Sequence, residues 1–392
     1  MFRRGLTKLC SLRTVSFRLP DRKYKSLANT CQKLVNTDFK PVCANQYQSP
    51  VVLKNGSCLE SKRYFRVSPV NKLPLTKIIT LVLHPVTKIL AIFLGIYIRQ
   101  WWLKLSTEEK RKFWHDVHNY RKQITAAIAS CIGLITLYYA THIEIDPITG
   151  KRRLVLFSEK QIIELANAIA DDLLNEHQHT VFPPSHQYYR RALYIAIQII
   201  NANTAYDHIN DRKWFLIIVN NPELNAMVLP NGLIMVYSGL LDMANDAEIG
   251  IVLSHEMAHC LLNHHAMFLS LKRLLETLWL LPVVLLWAVF PIPDAILGYL
   301  LSYFLKDITI LLPYERNQEI EADKYGLMLA ANACIDIQQA PQLWKKFEKM
   351  NPINHKEVWW LSTHPSNQTR IKYIEDLLPY ALELKKQQNC PD

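Results

Sequence analysis

Apolar and polar positions change their pattern several times along this chain. From Ile78 to Ile98 apolar residues dominate, but His84, Pro85 and Lys88 interrupt them and no charge-free run exceeds ten residues. That pattern predicts a helix lying at a membrane surface or against a partner, not one crossing a bilayer. Trp101 and Trp102 follow, a residue type favoured near headgroups, and a charged stretch runs from Glu108 to Lys122. Gln123 to Ile143 is different: its 21 residues contain no Asp, Glu, Lys or Arg. As a helix it would extend about 30 Å, enough to cross a bilayer. Arg121 and Lys122 precede it, and Glu144 and Asp146 follow. The positive-inside rule therefore keeps its N-terminal side on the inner face and carries everything after residue 144 across.

Beyond the span the periods shorten. Pro147-Ile148-Thr149-Gly150 predicts a turn and Arg153 to Phe157 a strand. Ser158 with Gln161 forms a helix-start box, and Ile162, Leu165, Ile169 and Leu173 mark the buried face of the helix it opens. Pro183-Pro184 precedes a helix from Gln187 to Asn203. Trp214 to Val219 is a strand, and Asn225 to Tyr237 contains a second, broken at Pro230-Asn231-Gly232. An apolar helical run then includes Ala247, Ile249, Ile251, Val252 and Leu253. Thr277 to Pro293 is 17 residues without charge, and Ala295 to Leu305 continues it after Asp294. Pro282, Pro291 and Pro293 argue against one straight spanning helix. The apolar insertion 274–312 thus predicts a membrane-dipping hairpin, an oily lid or a core insertion. The fold class is α+β, mainly α, with a small sheet that exposes one edge.

Charge changes the picture at the N-terminus. The chain has 392 residues and a net charge of +11, but residues 1–40 alone hold ten Lys/Arg against two Asp. Leu, Phe, Ser and Thr fill the gaps between Arg3, Arg4, Lys8, Arg13 and Arg18, the composition of a mitochondrial transit peptide. No nucleic-acid-binding signature appears, and the rest of the chain is close to neutral. Residues 40–72 read as a linker, so residues 41–122 fall on the matrix side, with the surface helix 78–98 among them. The span 123–143 follows, and 144–392 form the main domain, facing the intermembrane space. None of the eight cysteines lies in a C-x-x-C pair, so a disulfide framework is not expected; Cys334 and Cys390 read as buried inert thiols, with a response to redox conditions as the alternative.

The chemistry sits in Leu253-Ser254-His255-Glu256-Met257-Ala258-His259-Cys260. Four residues apart on a helix, His255 and His259 share a face and can grip one metal ion, while Glu256 between them can accept a proton. This is the H-E-x-x-H pattern of zinc hydrolases. A catalytic zinc usually takes a third protein ligand. His265 is ten residues after His255, but Leu262 stands where a helix break would need Gly, so a continued helix carries His265 away. Glu319 is the better candidate. It shares a helix face with Asp323, so one can bind the metal while the other hydrogen-bonds a ligand imidazole from behind. Glu321 points elsewhere and reads as a solvated carboxylate.

Asn225-Ala226, Pro230-Asn231-Gly232, Gly239-Leu240, His255-Glu256-x-x-His259, Glu319-x-Glu321-Ala322-Asp323 and Thr363-His364-Pro365 occur in that order. The order resembles the gluzincin peptidases typified by the HtpX and CAAX-prenyl endopeptidases. Tyr138-Tyr139-x-Thr141-His142-x-Glu144, Ala330-Ala331-x-Ala333-Cys334 and Trp360-Leu361-Ser362-Thr363-His364-Pro365-Ser366 resemble the mitochondrial inner-membrane branch whose activity overlaps that of the m-AAA protease. The resemblance implies one zinc per chain on His255, His259 and Glu319, with Glu256 as general base. It also implies His364 as stabiliser of the tetrahedral intermediate, with Arg370 as its support. The strand carrying Asn225, Ala226, Met227 and Val228 would take an extended substrate as an added strand. Implied substrates are inner-membrane proteins, among them a dynamin-like GTPase and the protein itself, in quality control and stress response. Glu315 departs from the family, which usually has Ser there. The lipid bilayer is the other expected partner, and a homo-oligomer is left open. The rival class is a non-catalytic zinc-binding membrane scaffold or stress sensor.

Overall fold

The computed structural model describes residues 51–54, 57–59, 84–349, 368–388 and 390, with side chains from Val86 onward. In chain order the elements are strands β1 (Val51–Lys54) and β2 (Ser57–Leu59), then helices α1 (His84–Lys104), α2 (Thr107–Asn119) and α3 (Arg121–Ala140). Strands β3 (Ile143–Ile145) and β4 (Arg152–Leu154) precede helices α4 (Glu159–His177), α5 (Gln187–Ala202) and the short α6 (Asp207–Asn210). Then come β5 (Trp214–Val219), β6 (Ala226–Val228), β7 (Leu233–Tyr237), α7 (Ser238–Met243) and α8 (Asp246–Leu261). Helices α9 (His264–Val289) and α10 (Ile292–Lys306) lead through a π-helical turn, Asp307–Leu311, into α11 (Leu312–Asn332). Helices α12 (Ala340–Lys349) and α13 (Gln368–Gln387) close the chain. The protein is mainly helical with small sheets, as the hydrophobic pattern predicts.

Two compact units share these elements. The first holds residues up to Ser68, Ala170–Leu261 and Ala322–Asp392. Its five-stranded sheet has the order β2-β1-β5-β7-β6. β5 and β7 run parallel and are almost wholly buried, which is why their sequences WFLIIV and LIMVY are continuous apolar runs. Pro230-Asn231-Gly232 turns the chain between β6 and β7, with Gly232 at φ +87°. A Cβ there would meet the Lys213 carbonyl oxygen at 2.0 Å, so only glycine fits. β6 is left at the sheet edge.

Helix α8 is buried on every face from Glu248 to Leu261, its apolar residues packing the core around the polar positions Glu248, Ser254, His255, Glu256 and His259. Gly250, the one break in its apolar run, faces Ile335: a Cβ there would come 2.6 Å from Cδ1. A Cys334–Cys390 disulfide ties the end of α11 to the segment after α13. This corrects the expectation of two buried thiols. The partners are 56 residues apart, and no local spacing could have paired them.

The second unit comprises Pro69–Ile169 and Leu262–Glu321. α1 packs along α9 around a core of Ala91, Val283, Trp287 and Ala295. α9 and α10 form a hairpin turned at Phe290-Pro291, and α9 continues through Pro282. The hairpin's outer residues Leu281, Leu285, Val289, Leu297, Leu300 and Phe304 are exposed, the reverse of a water-soluble bundle. α3 has no buried residue at all. β3 pairs with β4, and the Ser158–Gln161 box opens α4, with the Gln161 amide donating to Ser158 Oγ at 3.4 Å.

Several sequence boundaries move. The helix expected at 78–98 runs from His84 to Lys104, with residues 78–83 outside the described residues. Pro85 therefore falls in the first turn, where proline costs nothing. β1 and β2 lie inside the stretch expected as a linker. The leader 1–40 is outside the described residues. Among the described residues, three helical stretches are long and apolar enough to cross a membrane: Val86–Lys104, Arg121–Ala140 and the one beginning at Ile292.

Candidate metal centre

Two helices make the site. α8 supplies His255, Glu256 and His259, all buried, from the middle of its fully enclosed length. α11 approaches through Gly326: a Cβ there would sit 2.7 Å from His255 Cα and 2.9 Å from His255 N. One turn before Gly326 on the same face, Asp323 is 1 % exposed. Its Oδ1 lies 3.1 Å from His255 Nδ1. Arg370, at the start of α13, donates from Nε to Asp323 Oδ2 and from Nη2 to Oδ1, each at 2.7 Å. Burial alone would raise the Asp323 pKa, but Arg370 and the His255 contact outweigh it and hold the carboxyl below its usual range. Trp344 seals the group, with its ring 5.7 Å from His255 and the Arg370 guanidinium 4.8 Å above it.

This arrangement decides the tautomer. With Nδ1 of His255 donating to Asp323, its Nε2 presents a lone pair. That Nε2 lies 3.2 Å from Nε2 of His259. Two imidazoles on a tetrahedral zinc, with bonds of about 2.0–2.1 Å, would hold their nitrogens about 3.3 Å apart. Glu319, one further turn back on α11 and buried, completes the set. The ligand atoms of His255, His259 and Glu319 all lie within 4.8 Å of one another. This donor set, two neutral nitrogens and a carboxylate with Glu256 beside them, fits a divalent metal of the zinc kind.

The other expected residues are placed as follows. Asn225 is buried beside β6, and its Oδ1 has no hydrogen-bond partner. The ladder with β7 engages the Asn225 carbonyl and the Leu229 amide. By alternation, Ala226 and Val228 turn their backbone groups away from β7, with Met227 between them. The Cys260 thiol donates to the Val228 carbonyl at 3.4 Å, tying α8 to the edge strand, and burial raises its pKa to about 11. Arg370 is on Asp323, while His364 lies outside the described residues.

Glu321 needs correction. It is no solvated carboxylate: Arg153 Nη2 donates to it at 2.8 Å, Lys151 pairs with it, and His264 Nε2 lies 3.5 Å away. Burial opposes its charge, yet these three partners pull its pKa well below the usual value. Helix continuation toward His265 also fails. Asn263 adopts φ +53°, ending α8 at Leu261 and starting α9 at His264. His265 is exposed and no part of the cluster. Gly326 and Trp344 escaped the sequence reading, although Gly326 lies seven residues after Glu319, on the same helical face.

The profile of peptidase family M48 matches residues 195–378. A zebrafish (Danio rerio) protein named metalloendopeptidase OMA1, mitochondrial, is 33 % identical over 372 residues, covering 94 % of this chain and 77 % of its own. This chain belongs to peptidase family M48. Its human relative of the same name is 31 % identical over 333 residues, covering 84 % of this chain and 64 % of that one. The Saccharomyces cerevisiae mitochondrial metalloendopeptidase OMA1 is 32 % identical over 278 residues, covering 67 % and 77 %. As an M48 peptidase the chain is a metalloprotease, and the His255–His259–Glu319 cluster is its candidate metal site.

Proposed function

We propose that this M48 peptidase is a zinc endopeptidase of the mitochondrial inner membrane that cleaves membrane proteins, a dynamin-like GTPase and itself among them. Its relatives' names and its apolar helices support that location. One zinc would be held by His255, His259 and Glu319, and when bound it supplies the Lewis acidity that polarises a carbonyl and acidifies water. Glu256 accepts the proton of the attacking water and passes it to the leaving amine. Asp323 keeps His255 in the ligating tautomer, and Arg370 keeps Asp323 charged. Ala226 and the Val228 amide, turned away from β7 on the edge strand, would hold an extended segment by strand addition, the Val228 carbonyl already accepting from the Cys260 thiol. His364 would donate to the oxyanion, a role that rests on the family resemblance. α3 would cross the membrane with the catalytic unit facing the intermembrane space. The Cys334–Cys390 disulfide supports this side, because a reduced matrix does not favour one.

The observation that carries the reading is the convergence of His255, His259 and Glu319 behind an intact Glu256. The test is Glu256→Gln in the purified full chain. Zinc content should be unchanged, while cleavage of an extended peptide falls about 10²–10⁴-fold. Activity within tenfold of wild type would favour the scaffold or sensor instead.

A further inference from the structure

We propose that α1 crosses the same bilayer as α3, in the opposite direction, so that residues 51–59 share a compartment with the catalytic unit and α2 lies alone on the other side. This rests on reading α3 as a span, and it replaces the single crossing expected from the hydrophobic pattern with a pair.

Strand pairing carries the argument. β1 is hydrogen-bonded antiparallel to β5, with Val51 opposite Leu216, Val52 opposite Phe215 and Leu53 opposite Trp214. A backbone ladder cannot run through a bilayer, where an open sheet has no place. Residues 51–54 and 214–216 therefore lie on one side. The chain between them must cross an even number of times. α3 is one crossing, with 20 residues and none buried. Among the described residues between the two strands, α1 is the other helix long and apolar enough to be its partner.

Packing inside the second unit points the same way. Lys88 Nζ lies 3.3 Å from Glu276, and further along α1 a Cβ on Gly95 would meet Trp287 Cβ and the Val284 carbonyl at 2.6 Å. Contact positions advance together on the two helices, so α1 runs parallel to α9. Only Leu262 and Asn263 separate the end of the catalytic helix α8 from the start of α9, which puts that start on the catalytic side. The His84 end of α1 therefore starts there too. A glycine at the closest approach is what helices in lipid use, where apolar burial gives no driving force.

α1 itself meets the requirements of a span. Its 21 residues extend about 31 Å. Ile89, Leu90, Phe93, Leu94 and Tyr97 are exposed, a lipid-facing surface. Of its two interior charges, Lys88 is paired with Glu276, and Arg99 is close enough to the Lys104 end to reach headgroups. At that end Trp101, Trp102, Phe113 and Trp114 form one aromatic cluster, with neighbouring ring centroids 5.5–6.2 Å apart, joining α1 to the charged α2. Such a cluster belongs at a membrane interface. Lys104, Lys110, Arg111, Lys112, Arg121 and Lys122 place six basic residues in this connection. Basic residues also precede α1, so charge alone does not choose the topology; the ladder does.

Cysteine mass-tagging tests this on the full chain in isolated mitochondria. Single reporters Ser61→Cys, His115→Cys and Asp392→Cys are made in a chain whose Cys10, Cys31, Cys43, Cys58 and Cys131 are serine. Cys260 is buried and the remaining pair is oxidised. A membrane-impermeant PEG-maleimide is added after rupture of the outer membrane alone. The reporters at 61 and 392 should shift on a gel, and the one at 115 only after detergent. Protection at 61 and 115 with labelling at 392 would leave one crossing and overturn the proposal, while the orientation reading stands. Protection at 61 and 392 with labelling at 115 would overturn that orientation and uphold paired crossings. Labelling at all three would remove both spans and overturn the proposal.

Discussion

Asp323→Asn separates the two duties of the carboxylate behind the metal site. The side chain is 1 % exposed, and its polar contacts among the described residues are Arg370 twice at 2.7 Å and His255 Nδ1 at 3.1 Å. Asparagine keeps the volume but presents an amide to one of these donors. It also takes the Asp323 charge away from the Arg370 guanidinium, which is 3 % exposed. Removing one partner of a buried pair costs about 3–5 kcal/mol. Losing the orientation of His255 should weaken zinc binding about 10–100-fold. The double variant Asp323→Asn, Arg370→Gln removes both charges. It should recover most of the stability, leaving a deficit of about 1–2 kcal/mol from imperfect hydrogen bonds. Its zinc affinity should stay low, because His255 still lacks a carboxylate. The assay pairs thermal unfolding in detergent with zinc competition against a chelating dye. A double variant that binds zinc as tightly as wild type would refute the orienting role. A single variant as stable as wild type would refute the charge pairing.

Glu319→Ala should lose bound zinc, measured by metal analysis. Glu321→Ala should retain zinc but lower the unfolding midpoint, by about 1–3 kcal/mol in stability, as its bonds to Arg153 and Lys151 go. Gly326→Val places atoms within 2.7 Å of His255 Cα, so it should cost about 1–3 kcal/mol and weaken zinc binding by pushing α11 off α8. Cys390→Ser opens a loop of 56 residues and should cost up to about 4 kcal/mol, read as a drop in midpoint that reductant reproduces on wild type. Acid should destabilise the second unit in two steps. Burial lowers the His264 pKa, so the unfolded chain takes up that proton first and stability falls as pH drops below about 6.5. The Glu321 carboxyl is held below its usual value, so its contribution, complete above about 4.5, is lost as pH falls further. Midpoints that do not fall between pH 8 and 5 would contradict the His264 shift, and midpoints that do not fall further between pH 5 and 2.5 the Glu321 shift.

What the sequence determined by itself is whatever depends on short spacing. His255, Glu256 and His259 are bound to one helix turn, and Glu319 and Asp323 to another, so their shared faces follow from a period of 3.6. The buried strands β5 and β7 were legible because a run such as WFLIIV has no polar face to show water. The long helix α3 was legible because an apolar run without internal charge has only one regular way to satisfy its backbone; so was the helix-start box at Ser158.

Tertiary structure decided what depends on contacts between distant segments. Nothing near Cys334 names Cys390 as its partner. Nothing near Glu321 announces Lys151, Arg153 and His264, and so a carboxylate on the outer side of its helix looked solvated. Gly326 reads as an ordinary helix-weakening residue until α8 lies against it at a distance no Cβ allows. Lys88 on α1 shows the same division: in the sequence it interrupts an apolar run together with His84 and Pro85, and in the fold it lies 3.3 Å from Glu276 on α9. A charge has one energy alone and another beside its counter-ion, and only the folded chain brings the counter-ion there.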